Sequence, residues 1–163
     1  MYFTYAKGLC SKNSLTTLTL LILFSTISFA QDCGVTLEVD KGRNSRSVDE
    51  DGTQFVLVLT NTSSSSETFN ISTSLIQDGC SNGKRALQSS AVLDLSIVDM
   101  QYKGKSASKI SLGAKQTRKF MVDVKAPVGT PHSQWGCYEV KAVSNDCTAS
   151  TVLKIYVPDS SEE

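Results

Sequence analysis

Few residues in this sequence of 163 could perform acid–base or nucleophilic chemistry. His132 is the single histidine, and it lies between Pro131 and Ser133 in a segment typical of a loop. A serine hydrolase needs a base, an orienting acid and an activated serine, yet the sequence has no Gly-x-Ser-x-Gly elbow to supply that serine. A blue-copper centre needs two histidines. We therefore predict a protein that is not an enzyme and needs no cofactor, with His132 exposed in a loop.

The acidic run from Asp49 to Gly52 contains the residue types that bind calcium, because carboxylate oxygens suit this cation. In a calcium loop with Gly52 at its sixth position, the bidentate twelfth position falls on Val58, inside an apolar strand. This spacing favours an ordinary acidic turn, and no metal site is predicted. Glycoside hydrolysis needs two carboxylates across a cleft, which small sandwich domains seldom have.

The cysteine pattern indicates disulfides. The sequence has five cysteines, of which Cys10 lies in a predicted leader, and four remain: Cys33, Cys80, Cys137 and Cys147. An even number of cysteines in an exported chain is typical of disulfide pairing. Zinc sites usually contain cysteine pairs separated by two to four residues, a spacing that none of these four has.

Residues 1–30 are predicted to be a cleaved export signal. Lys7 and Lys12 precede an apolar stretch, and Ser28-Phe29-Ala30 offers small residues before the cleavage point. The continuous apolar core, Leu18 to Phe24, is too short to cross a bilayer, and no later segment is long enough. We expect an exported protein without a membrane span, located in the periplasm, at the cell surface or in the medium.

The remaining chain is predicted to form one domain, residues 31–157, followed by an acidic flexible tail, residues 158–163. Without Lys7 and Lys12, 14 basic residues face 16 acidic ones, a net charge near −2. This charge argues against a nucleic-acid partner. The apolar share of 40% is ordinary for a globular protein and excludes intrinsic disorder.

The dominant hydrophobic period is two, which is typical of strands with one buried face. The segments from Lys41 to Gly52 and from Gln77 to Ser90 lack this alternation and are predicted to be loops. The spacing of the strands is typical of an all-β sandwich with seven or eight strands. The predicted strands are centred on residues 35–39, 55–59, 69–73, 93–100, 110–112, 120–124, 138–142 and 153–157.

Several motifs resemble a known family, the alpha-galactosidase-associated immunoglobulin-like (Ig-like) modules of bacteria and their fibronectin-type relatives. Phe55 to Thr62 resembles their apolar strand followed by Asn and a turn, and Ile110 to Gln116 resembles their Leu, Pro-Gly, polar turn, although no proline precedes Gly113. The segments from Val122 to Pro127 and from Trp135 to Val140 resemble two further strands of the family. The resemblance implies an Ig-like antiparallel β-sandwich.

Such modules usually act as spacers, linkers or binding platforms beside glycoside hydrolases. The resemblance therefore implies a non-catalytic binding or spacer module. It names no ligand, and we expect the partner to be an envelope or extracellular protein, or a glycan. The alternatives are a carbohydrate-binding accessory domain, with a glycan as ligand, and a small hydrolase. An envelope-assembly subunit whose edge strands pair with a partner chain is a further possibility.

Strand polarity predicts which cysteines pair, because successive strands of such a sandwich begin at opposite ends. Cys33 and Cys147 both open strands at one end, whereas Cys80 and Cys137 lie at the other. We predict the disulfides Cys33–Cys147 and Cys80–Cys137. A Cys137–Cys147 bridge is the alternative, but the hairpin turn between these residues should separate their Cα atoms by more than the roughly 7 Å limit.

The loops joined by Cys80 and Cys137 are the predicted partner site, because loops on a rigid sandwich are natural binding surfaces. Trp135 could cap the core at the start of its strand, which its size favours, or offer an exposed ring to a sugar or partner. Asn61 and Asn70 match the N-glycosylation pattern, which matters only in a source that glycosylates exported proteins. The candidate binding residues are Trp135, His132, Gln134, Lys84 and Arg85.

Overall fold

Strands dominate the fold, which comes from a computed structural model that describes residues 34–81, 86–87, 90–102, 104–145 and 147–159. One 3-10 turn, Asp40–Gly42, follows the first strand. Within the described ranges there are eleven strands: β1 (Val35–Val39), β2 (Ser45–Ser47), β3 (Thr53–Asn61), β4 (Glu67–Leu75), β5 (Cys80–Ser81), β6 (Ala86–Leu87), β7 (Asp94–Asp99), β8 (Lys109–Leu112), β9 (Thr117–Lys125), β10 (Gln134–Val143) and β11 (Thr148–Val157).

The strands form two main sheets that pack face to face. One has the order β1-β3-β9-β7 and the other the order β2-β11-β10-β4-β8, while β5 and β6 pair separately. All neighbours are antiparallel except β2 and β11, which are parallel. The protein is thus an all-β, Ig-like sandwich, which confirms the predicted fold class.

Alternation of side chains builds the core between the sheets. In β3, Phe55, Leu57 and Leu59 are completely buried, whereas Val56 and Val58 are half-buried on the outer face. Full burial of each such apolar side chain stabilises the fold by roughly 1.5 to 3 kcal/mol. Other completely buried residues facing this core are Phe69, Phe120, Val122, Val140, Leu153 and Ile155.

The strand count and the parallel pair differ from the prediction of seven or eight antiparallel strands. β2 lies in the predicted loop from Lys41 to Gly52, and β5 and β6 lie in the predicted loop from Gln77 to Ser90. All three β2 residues have exposed side chains, and β2 is held by backbone pairing with Lys154–Tyr156. A strand with no buried face leaves no hydrophobic alternation in the sequence, so the periodicity could not reveal it.

Several predictions fall partly or wholly outside the described residues. The export signal and Cys33 lie within residues 1–33, and the end of the acidic tail lies within residues 160–163. No helix in the described part of the chain is long and apolar enough to cross a membrane.

Candidate functional site

The predicted partner site lies at one end of the sandwich, which we name the Tyr138 end. There β9 finishes with Lys125 paired to Asp94, the first residue of β7. β10 starts at the same end, with Gln134 paired to Val157. The segments 90–93 and 126–133 therefore lie together beyond the ends of the two sheets. The predicted partner site comprised the loops from Gln77 to Ser90 and from Pro127 to Trp135, and residues 82–85 and 88–89 of the first loop lie outside the described residues.

The buried hydroxyl of Tyr138 fixes the 90–93 segment against β10. It accepts a hydrogen bond from the Leu93 N–H at 2.6 Å, and the carbonyls of Ala91 and Leu93 each lie 3.3 Å away as acceptors for its proton. The N–H groups of Ser90 and Ala91 both donate to the Trp135 carbonyl, at 2.9 and 3.0 Å. Burial raises the pKa of Tyr138, so its hydroxyl keeps its proton at neutral pH.

Gly136 explains how the 90–93 segment approaches β10 so closely. A Cβ atom at this position would lie 3.0 Å from the Ala91 carbonyl oxygen and 3.0 Å from the Tyr138 ring. These distances are shorter than ordinary van der Waals contact. The absence of a side chain at Gly136 therefore permits the hydrogen bonds described above.

A disulfide between Cys80 and Cys137 closes the same end, which confirms this predicted pairing. Their Cα atoms are 6.0 Å apart, and the Ile76 N–H donates to the Cys137 carbonyl at 2.8 Å. The bridge joins the chain after β4 to the outward side of β10. Cys33 lies outside the described residues, so the Cys33–Cys147 disulfide stays a prediction.

Trp135 does not cap the core, contrary to the role that its size favoured. The ring lies outside the hydrophobic cluster and is half-buried on the outer face of the five-stranded sheet. It packs on Tyr156, its partner in register, with ring centroids 5.1 Å apart and planes inclined at 41°. Such a tilted pair is a favourable aromatic arrangement. Side chains alternate between the two faces of β10: Tyr138 and Val140 point into the core, so Trp135, at an odd-numbered position, points outward.

The structure brings some of the other candidate residues to this end. His132 is exposed in the 126–133 loop, with its Nδ1 2.8 Å from the Pro158 carbonyl oxygen. Gln134 is half-buried at the first position of β10. Lys84 and Arg85 lie outside the described residues.

Two apolar residues at the Tyr138 end were missed by the sequence analysis. Val92 is 66% exposed in the 90–93 segment, and Val128 is fully exposed in the turn closed by the Thr130 N–H and the Pro127 carbonyl. The position of Val128 between Pro127 and Gly129 could have indicated its exposure, because a residue in a turn does not belong to a strand and its side chain is not buried with the side chains of one strand face. Val92 gave no such signal, since it directly precedes the apolar pattern of β7.

The opposite end, which we name the Asn61 end, is tied by one carboxamide. The Asn61 side chain is completely buried, and its Nδ2 donates to the carbonyls of Ser65, Leu112 and Gly113 at 2.8, 3.4 and 3.0 Å. Its Oδ1 accepts from the Ser63 N–H at 3.0 Å. All of its bonding groups are therefore used, and the folded chain leaves this nitrogen inaccessible to glycosylation.

A small cavity also lies at the Asn61 end. It has a volume of about 80 Å³ and is lined in part by Gly34 and Cys147. Gly34 directly follows Cys33 in the chain, so this placement agrees with a Cys33–Cys147 disulfide without testing it.

The acidic run near Gly52 forms an ordinary turn. The Gly52 N–H donates to the Asp49 carbonyl and to its Oδ1, at 3.2 and 3.1 Å. The backbone at Gly52 has a φ of +88°, which a glycine tolerates. Within the ranges that the structure describes, no group of three or more His, Cys, Asp or Glu residues could hold a metal ion.

Comparison with known proteins gives likenesses of fold. No family model matches the chain, and no curated protein matches its sequence. The fold is similar to a family 123 glycoside hydrolase from Clostridium perfringens (8% identity, TM-score 0.49), covering 77% of this chain and 27% of that chain. It is also similar to a FixG-related protein from Vibrio parahaemolyticus (11%, 0.45), covering 76% of this chain and 94% of that one. The E. coli chaperone DraB is a third such structure (12%, 0.45), with 78% and 57% covered.

The chain thus spans about a quarter of the hydrolase chain that it matches. At identities of 8 to 12%, these likenesses concern overall fold only. Membership of the alpha-galactosidase-associated family stays a prediction from the strand motifs. The chain is an all-β, Ig-like sandwich module closed at one end by the Cys80–Cys137 disulfide.

Proposed function

We propose that this chain is an exported, non-catalytic binding module whose partner surface is the Tyr138 end. The observation that supports this function is the aromatic pair of Trp135 and Tyr156 at the end of the sandwich that also carries the exposed Val92 and Val128. Tryptophan and tyrosine are common anchors of protein interfaces, because their rings bury a large area at a small entropic cost. The preferred partner is an envelope or extracellular protein.

Rigidity makes this surface suitable for binding. The Cys80–Cys137 disulfide and the Tyr138 hydrogen bonds fix the backbone that carries Trp135 and Val92. Binding to a preorganised surface costs less conformational entropy than binding to a loop that must first become ordered.

The disulfide supports export, because such bonds persist in oxidising compartments and are rare in the cytosol. The periplasm, the cell surface and the medium all meet this condition. The absence of catalysis belongs to the same proposal. The Nδ1 atom of His132 lies 2.8 Å from the Pro158 carbonyl oxygen, and the sequence has no Gly-x-Ser-x-Gly elbow to supply a serine that its other ring nitrogen could activate.

Photo-crosslinking from the proposed surface tests this function. A photoreactive phenylalanine analogue replaces Val128, or Tyr102 as the matched control, and the variants are irradiated in the native envelope fraction. Tyr102 is 57% exposed in the loop that follows β7, at the Asn61 end. We expect one defined adduct from position 128, lost when Trp135→Ala is added, and none of the same mass from position 102. Equal adducts from both positions, or none from position 128, would contradict the proposal.

A carbohydrate ligand is the second candidate, favoured by the same aromatic pair. Sugar rings stack on exposed aromatic faces, and Ser47 is the register partner of Tyr156 on β2. A glycan array of the wild-type protein and the Trp135→Ala variant separates the two ligands. Binding to a defined glycan that the variant loses would favour this candidate, while turnover in a chromogenic glycoside screen would favour the small hydrolase.

A further inference from the structure

Within the described chain, β1 lies at an edge of its sheet and pairs with one neighbour, β3. The Thr62 N–H donates to the Gly34 carbonyl, so in β1 the even-numbered residues share their backbone hydrogen bonds with β3. The N–H and C=O groups of Val35, Leu37 and Val39 therefore point away from β3. The side chains of these three residues are buried, and no strand of the described chain pairs with this side of β1.

The other sheet edges are shorter or covered. The edge of β7 is covered in part, because the Asp99 N–H donates to Lys105 and the Ala107 N–H donates to Ile97. In β8, only Lys109 and Ser111 direct their backbone N–H and C=O groups away from β4. The edge strand β2 is short, with three residues. Exposed edges are usually protected by lysine, proline or a bulge, and β1 has none of these.

The sequence of β1 is close to a palindrome, Val-Thr-Leu-Glu-Val. We propose that β1 pairs with β1 of a second copy of this chain, antiparallel about a two-fold axis through Leu37. In this register Leu37 faces Leu37 of the second copy, and Val35 faces Val39. The three residues whose backbone groups point away from β3 then pair across the axis through up to six hydrogen bonds, and the two four-stranded sheets become one sheet of eight strands.

Charge agrees with this register. Thr36 and Glu38 are exposed on the outer face of the sheet. Across the two-fold axis each Glu38 faces Thr36 of the second copy, so the two glutamates avoid facing each other. Like charges directly opposite each other destabilise a strand pair, and opposite charges stabilise it.

A charge swap tests the register. The oligomeric state of the protein, purified after export, is measured by sedimentation equilibrium from micromolar to near-millimolar concentration. We expect a reversible dimer of the wild type. Thr36→Glu should raise its dissociation constant about tenfold, because it creates two facing glutamate pairs. The double variant Thr36→Glu/Glu38→Lys should restore wild-type affinity, because each new glutamate then faces a lysine.

The matched control is Ser111→Glu, which adds the same charge at an exposed position on the open edge of β8. It should leave the dimer unchanged, and thermal unfolding of each variant checks that the monomer is folded. A wild type that stays monomeric overturns the proposal and leaves the edge to a strand of another chain. An equal response to Ser111→Glu, or no recovery in the charge-swapped variant, also overturns it. The proposal is independent of ligand binding at the Tyr138 end, which the Trp135→Ala variant tests separately.

Discussion

The two ends of the sandwich are each tied by one buried polar side chain, but they differ in what secures the rest of each end. At the Tyr138 end, a hydroxyl on the five-stranded sheet holds the segment that leads into the four-stranded sheet. At the Asn61 end, a carboxamide on the four-stranded sheet holds the end of β8 in the other sheet. A buried polar group with all partners present can thus join two sheets where the backbone leaves its ladders.

The two side chains differ in the number of polar groups with which they form hydrogen bonds. Asn61 uses both groups of its carboxamide on backbone atoms of two loops, which closes that end with polar contacts. Tyr138 has only one hydroxyl, and the covalent bridge between Cys80 and Cys137 secures the rest of its end. Exposed large apolar side chains occur at both ends: Val92 and Val128 at the Tyr138 end, and Met100, Tyr102 and Val143 at the Asn61 end.

Removal of the disulfide at the Tyr138 end should cause the largest loss of unfolding free energy. The double variant Cys80→Ser/Cys137→Ser should lose about 2 to 4 kcal/mol of unfolding free energy, because a disulfide spanning 57 residues restricts the unfolded chain. Denaturant unfolding measures the loss.

Peptide mapping of the wild type under non-reducing conditions sharpens the same comparison. We expect a Cys33–Cys147 peptide beside the Cys80–Cys137 peptide, so that each end has its own bridge. Recovery of a Cys137–Cys147 peptide would be inconsistent with both the predicted pairing and the geometry described here.

Removing the carboxamide should have the next largest effect. Asn61→Ala should lower the unfolding free energy by about 2 to 3 kcal/mol, because the Ser63 N–H and buried carbonyls lose their partner. The matched control is Asn70→Ala, an exposed residue of β4, which should change the stability by less than about 0.5 kcal/mol. Similar losses in the two variants would show that the Asn61 end is not tied by its carboxamide.

Removing the Tyr138 hydroxyl should have the smallest effect. Tyr138→Phe should lower the unfolding free energy by about 1 to 2 kcal/mol, since the Leu93 N–H loses its acceptor. Because the folded-state pKa of Tyr138 is raised, its contribution is complete below the unfolded pKa and is lost as the pH rises above about 10. Denaturant unfolding across this alkaline range should therefore show a steeper loss for the wild type than for the variant. Parallel curves would contradict the assigned role of the hydroxyl.

The sequence was sufficient for strands that bury one face. β1, β9 and β11 follow from alternation, β3 follows from its continuous apolar run, and the Cys80–Cys137 bridge followed from strand polarity. Alternation could not show β2, because all three side chains of Ser45–Ser47 are exposed and the strand pairs with β11 through its backbone. The tie at Asn61 was equally hidden, since its partners Leu112 and Gly113 are about fifty residues away in the chain.

Trp135 shows how a boundary error changes an interpretation. The alternation placed the start of its strand near Tyr138, whereas β10 begins at Gln134. Because the strand begins four residues earlier, Trp135 belongs to it and follows its alternation, which directs the ring to the outer face. The paired Tyr156 could be inferred only from the register of β10 and β11.

The parallel pairing of β2 with β11 has a mechanical consequence. β1 begins at the Asn61 end, and β11 finishes at the Tyr138 end. Tension between these two ends pulls both strands along their own axes. The hydrogen bonds from Lys154 to Asn44 and from Val48 to Tyr156 are then loaded together in shear, instead of opening one after another. A module of this topology therefore resists tension along its length through several backbone hydrogen bonds at once.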